Sequence, residues 1–130
     1  MPHPQMFEDD DPRLARVRAL ALALPGAAEK VSHGRPAFFT TKVFAYYGGS
    51  QRIDGEWVQH AHCVMVLLEL DEREALLEQE RTFVPAYLGP SGWIGVQLPE
   101  PDGAGWDEVT EWLDASYRRT APARLVRQLS

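Results

Sequence analysis

The sequence predicts a single small α+β domain, an antiparallel sheet with the N- and C-terminal helices packed on one side. Three observations predict it. Apolar residues recur at helical spacing near both ends of the 130-residue chain. Aromatic and β-branched runs bounded by turn residues fill the middle. The resulting order (helix, strands, helix, strand, helix) is that of a sheet whose helices gather on one face. A chain of this length is about one domain and hides about two-thirds of the surface its unfolded form exposes.

The elements follow in order. Residues 1–11 read as a flexible leader, and the domain as 12–130. Asp9-Asp10-Asp11 offers N-cap carboxylates and Pro12 suits the first helical position, where a missing N–H costs nothing. Leu14, Val17, Leu20, Ala21 and Leu24 then share one face of a helix that Pro25-Gly26 ends. Residues 29–48 read as strand structure, with Phe38-Phe39 and Val43–Tyr47 flanking a turn at Thr40-Thr41-Lys42. Gly48-Gly49-Ser50 breaks the pattern and Asp54-Gly55 is a second turn signal, leaving Trp57-Val58 as strand or extended loop. The apolar run Cys63–Leu70 reads as the central strand. Asp71-Glu72-Arg73-Glu74 resembles a capping box with Asp71 in the cap position, starting a helix that reaches about Arg81. Gly89-Pro90-Ser91-Gly92 is a turn, and Trp93–Leu98 the last strand. In the final helix Trp106, Val109, Trp112, Leu113, Ser116 and Tyr117 share an arc, with Asp107, Glu108, Glu111 and Asp114 facing away. Pro122 introduces a short basic tail.

Charge and composition narrow the function. The net charge is −6, whereas non-specific nucleic-acid binding leaves a strongly basic footprint. A local basic face on an acidic protein is compatible with that balance. No apolar run approaches the ~18 residues that cross a bilayer, and the acidic, proline-bearing N-terminus is unlike a secretory signal, so the expected location is the cytoplasm and no membrane partner is expected. The single cysteine, Cys63, sits in an apolar run and reads as a buried hydrophobe.

No set of catalytic groups is recognisable. Ser32 and His33 are adjacent, so on a strand they point to opposite faces. Gly89-Pro90-Ser91-Gly92-Trp93 departs from the nucleophile elbow at its last position, where Trp93 stands in place of glycine. Neither glycine cluster matches a phosphate-binding loop. His60 and His62 would share a face of a strand, but two ligands do not make a metal site. The expectation is therefore no enzyme, no metal and no cofactor.

Cations and aromatics remain. The only lysines are Lys30 and Lys42, and Arg118, Arg119, Arg124 and Arg127 give the stretch after residue 115 a charge of +4 from its side chains. Arg35 and Lys42 flank the aromatic strands. Brought together with Arg118, Arg119, Arg124 and Arg127, they would form a basic face with aromatic neighbours, suited to phosphates or unstacked bases. The alternative is a non-catalytic module for a protein or a small acidic metabolite, with a cleft lined by His33, Phe38, Phe44, Tyr46 and Trp93.

Several blocks, in order, resemble a known family. They are Leu22–Glu29, His33-Gly34-Arg35-Pro36-Ala37-Phe38, Lys42-Val43-Phe44-Ala45, Pro85-Ala86-Tyr87, Trp93-Ile94-Gly95-Val96 and Ala115-Ser116-Tyr117. Together they resemble the MmcQ/YjbR family, once classed as a domain of unknown function, from about residue 13 to 129. The resemblance implies a CyaY-like α+β fold and a DNA-binding role through a double-wing arrangement. Lys42 matches the family's lysine after the hairpin turn and Trp93 its tryptophan. Thr40-Thr41 stands where the family usually has a glycine before that lysine, and Tyr87-Leu88-Gly89-Pro90 lacks the Tyr-His and basic residue that many members carry.

Overall fold

In the structure, a computed structural model, residues 4–129 are described; Met1–His3 of the expected leader and Ser130 at the domain's end lie outside them. Helix α1 spans Pro12–Leu22, with Pro12 in its first turn and Asp11 at its N-cap. The Asp11 carboxylate accepts from the Arg13 amide at 2.9 Å, satisfying one of the donors that a helix start leaves open.

The residues 29–48 expected as strand structure divide into three strands. Strands β1 (Ala28–Ser32) and β2 (Arg35–Phe39) are joined by His33 and Gly34. Both turn residues hold positive φ, 52° and 82°, the conformation that the tightest hairpins require. Strand β3 (Val43–Ile53) turns at Asp54-Gly55 into β4 (Glu56–Leu67). Trp57 and Val58 are thus strand, and Gly48-Gly49 does not break β3. A Cβ at Gly48 would stand 2.2 Å from the Arg35 guanidinium, and one at Gly49 2.7 Å from the Met65 sulfur. These glycines let neighbouring side chains lie across the strand.

Helix α2 (Leu70–Leu77) starts one residue before Asp71 and stops short of Arg81. Glu69 holds its N-cap position without a side-chain cap, because its carboxylate instead pairs with Arg119 at 2.6 Å. Strands β5 (Thr82–Phe83) and β6 (Trp93–Gln97) follow, with a short 3-10 turn at Gly89–Ser91 between them. Helix α3 (Trp106–Thr120) and the single turn α4 (Ala123–Val126) complete the chain.

The sheet is antiparallel throughout, in the order β1-β2-β3-β4-β6-β5. Its centre is β4, as the apolar run indicated. One face carries the main core. Leu14, Val17 and Ala21 of α1 and Trp106, Val109, Leu113 and Tyr117 of α3 pack on Phe38, Phe44, Val64, Val66, Ile94 and Val96. Ser116, fully buried, ties α3 to the sheet by donating to the Phe44 carbonyl (2.6 Å) and accepting from the Leu67 amide (2.9 Å). No described helix is long and apolar enough to cross a membrane.

Two irregularities set which side chains face which way. Phe38 pairs with Ala45 but Phe39 with Val43, so Phe44 is an extra residue in β3. Phe44 and Ala45 both join the helix-side core as a result. Further along, Tyr47 pairs with Val64 and Gly49 with His60, setting one residue of β3 (Gly48) against three of β4 (Ala61, His62 and Cys63).

Candidate functional site

The other face of the sheet has a smaller apolar cluster, Cys63, Met65 and Phe83, flanked by Tyr46, Leu88 and Trp93. Register explains it. Ala37, Tyr46, Met65, Gly95 and Phe83 form one lateral row across five strands. Gly95 makes room for Phe83, whose ring carbon would lie 2.2 Å from a Cβ there. Above this floor opens a cleft of about 780 Å³. Its walls come from the end of β1 and the turn after it (Ser32, His33), from β2 (Arg35), from the β3–β4 hairpin (Gly49, Ser50, Trp57, Gln59) and from the segment Ala86–Leu88. The Ala86 amide donates to the Ser50 carbonyl at 2.9 Å, holding that segment against the hairpin.

Arg35 is the charged group of this cleft. It opens β2 on the same face as Ala37, and its guanidinium occupies the space that Gly48 leaves free. It is 8% exposed and donates from Nη2 to the Gln59 side-chain carbonyl at 2.5 Å. Among the described residues no carboxylate lies within ion-pair distance of it. Among the described residues no Asp or Glu lines the cleft, although the chain carries 19 acids. Burial lowers the proton affinity of Arg35, but a guanidinium keeps its charge at neutral pH. Burial, with the charge of Arg35 adding to it, also lowers the pKa of nearby His60.

The cleft mouth is aromatic and strained. Tyr87 is 83% exposed, and its ring packs 5.8 Å from that of Trp57 with the planes 34° apart. Arg52, opposite Trp57 across the hairpin, lays its guanidinium over the indole at 4.9 Å. Among the described residues three non-glycines hold positive φ: His33 (52°), Asp54 (50°) and Tyr87 (65°). Asp54 and His33 stand in two-residue hairpin turns, which require it, whereas Tyr87 lines the cleft outside such a turn. Such a conformation costs an aromatic residue roughly 1–3 kcal/mol, and strain of this kind concentrates at ligand sites.

The expected site residues separate. His33, Arg35 and Tyr46 do meet in the cleft. Phe38 and Phe44 do not: both are fully buried on the helix face, Phe44 edge-on to Tyr117 with ring centroids 5.4 Å apart. Phe44 would share a face with Tyr46 in a regular strand, and the extra residue in β3 reverses that phase. Trp93 packs edge-on against Tyr46 at 5.4 Å and supports the cleft without lining it. Lys42 is exposed at the β2–β3 turn, the opposite end of β2 from Arg35. Arg118 and Arg119 end α3, paired with Asp114 (2.8 Å) and Glu69 (2.6 Å). Arg124 and Arg127 are exposed in and just after α4, whose Leu125 lies close to Gly26 and packs on the helix-side core. The sheet therefore stands between Arg35 and the C-terminal arginines, and the six cations do not form one face. Trp57, Gln59 and Tyr87 are cleft residues that periodicity did not single out. Their signal was Trp57-x-Gln59, an alternation that puts both side chains on one side of a strand.

Other chemistry is confined. The Cys63 thiol is sealed under the floor, and burial pushes its pKa up to about 12. His60 stacks on Phe83 at 3.9 Å and contacts Gln51 and Gln97, whereas His62 approaches Asp11 and Tyr47. Among the described residues no three His, Cys, Asp or Glu side chains gather to hold a metal ion. At the base of α1 the Tyr47 hydroxyl donates to Asp11 and lies 3.2 Å from His62 Nδ1. Burial raises the Asp11 pKa, but the Tyr47 hydroxyl, the Arg13 and Leu14 amides and the His62 charge outweigh it, holding the carboxyl below its ordinary 3.8. In the stretch read as a leader, the Met6 amide also donates to the Gly34 carbonyl (2.8 Å) and Phe7 packs on the core.

A family model described as YjbR matches residues 22–119. The chain belongs to the YjbR family. The matched stretch runs from the last residue of α1 to near the end of α3, and so contains the whole sheet and every cleft residue except Met6. Neither the curated proteins nor the solved structures include a match to it.

Proposed function

We propose that this YjbR-family protein is a non-catalytic cytoplasmic binding module that takes a small anionic molecule in the cleft on the open sheet face. One observation carries the reading: a buried guanidinium opens into a cleft that, among the described residues, no carboxylate lines. Burying a charge without a counter-charge is costly, and a ligand carboxylate or phosphate would supply the missing partner through a charge-assisted, bidentate contact. Gln59 holds the guanidinium in place before the ligand arrives, which lowers the ordering cost of binding. The cleft volume falls in the range of roughly 300–1,000 Å³ usual for small-molecule sites.

The test is calorimetric titration of wild type and Arg35→Met with ribose 5-phosphate and with neutral ribose. The reading expects phosphate-dependent binding that the substitution weakens at least tenfold. Equal binding by the two proteins, or none by either, would sink it.

DNA is the second reading. It draws on Lys42, Arg124 and Arg127, exposed cations for which no ion pair is seen among the described residues. Fluorescence anisotropy with single- and double-stranded DNA across several salt concentrations tests it. Binding that weakens steeply with salt supports it, and no binding at low salt rules it out.

A further inference from the structure

We infer that the ligand of this cleft joins a flat ring to its anionic group by a short link, the chemistry of a free nucleoside monophosphate. The inference rests on the anion-binding reading above and goes beyond it by assigning the cleft mouth. Trp57 and Gln59 are alternate residues of β4, both in the cleft wall. Side chains two positions apart on a strand stand about 7 Å from one another. Gln59 holds the anion anchor Arg35, and Trp57 carries the aromatic platform. A ligand using both must therefore place its ring about one such step from its charge.

The platform is built rather than incidental. Tyr87 is held at positive φ against Trp57, their rings 5.8 Å apart, and with 83% of its surface in solvent it keeps a ring face open. Arg52 over Trp57 adds a second cation on the same hairpin. A bare inorganic anion would use Arg35 and leave the strained, exposed Tyr87 without a role. An uncharged aromatic would leave the Arg35 guanidinium without a counter-ion. A ring joined to a phosphate satisfies both, since aromatic side chains stack on any base regardless of its edge.

Calorimetry with four probes separates this from the reading it rests on. Adenosine monophosphate is expected to bind at least tenfold more tightly than ribose 5-phosphate or adenosine. Trp57→Ala should lower its affinity to that of ribose 5-phosphate and leave ribose 5-phosphate unchanged. Tyr87→Ser, at a site too exposed to threaten folding, should shift affinity in the same direction. Should ribose 5-phosphate bind as tightly as the monophosphate and still depend on Arg35, the ring assignment fails while the anion site stands. If none of these three binds, both fail. The fourth probe is a short single-stranded oligonucleotide. If it binds more than tenfold more tightly than the monophosphate, a free nucleotide is not the ligand.

Discussion

The two faces of the sheet are built from similar residue types to opposite ends. On the helix face, aromatic rings are sealed: Phe38, Phe44 and Tyr117 are wholly buried, and the polar groups among them are bonded to one another, as Ser116 is to Phe44 and Leu67. On the open face, Trp57 is 44% and Tyr87 83% exposed, and a guanidinium is buried with no carboxylate beside it among the described residues. The first pattern maximises burial and hydrogen-bond satisfaction, which stabilise a fold. The second spends stability on strain and an uncompensated charge, the usual signature of a surface kept for a partner.

Substitutions across the two faces should split accordingly. The largest loss is expected for Phe44→Ala, about 3–5 kcal/mol by chemical denaturation, from the cavity left against Tyr117. Ser116→Ala should cost about 1–3 kcal/mol, because it leaves the Leu67 amide and Phe44 carbonyl buried without their partner. Asp11→Ala should cost about 1–2 kcal/mol through the lost N-cap, and its cost should depend on pH. The folded carboxyl sits below 3.8, so its contribution is complete above pH ~4 and is lost as pH falls through the folded value. The gap between wild type and the variant should close over that acid range, and parallel melts at pH 7 and pH 2.5 would show it.

Arg35→Met should change stability by less than about 1 kcal/mol, or raise it, since an apolar side chain removes an unpaired buried charge. A loss above about 2 kcal/mol would make Arg35 a structural bolt and erase the contrast between the faces. Smallest of all, Tyr87→Gly should be near neutral, because relief of the positive-φ strain offsets the added freedom of the unfolded chain.

Much of this frame was legible in the sequence, and the reasons differ by element. In α3 all six residues of the expected arc are buried, because a helix of fifteen residues gives periodicity enough turns to show. The Cys63 run marked the central strand because a strand covered on both faces reads as a continuous apolar run, here Val64 and Val66 on one face and Cys63 and Met65 on the other. The site was legible only in part. Phe44 was expected in the cleft with Tyr46, the alternate residue of the same strand, and one extra residue in β3 reverses that. Gly48 and Gly49 read as a break, since a sequence does not show that another strand's arginine needs the space. Arg35 was picked out for its charge; its burial depends on long-range pairing with Gly48 and Gln59. At the other end of the fold, Asp9-Asp10-Asp11 was legible as a source of N-cap carboxylates, and only the reach of Asp11 to Tyr47 was not.

The claim that the open face is the binding face is tested most directly by amide chemical-shift mapping during titration with adenosine monophosphate. The account predicts that the perturbed amides cluster at Ser32–Arg35, Trp57–Gln59 and Ala86–Leu88, and that the pattern disappears in Arg35→Met. Perturbations centred instead on Arg118, Arg119, Arg124 and Arg127, or none at saturating ligand, would contradict it.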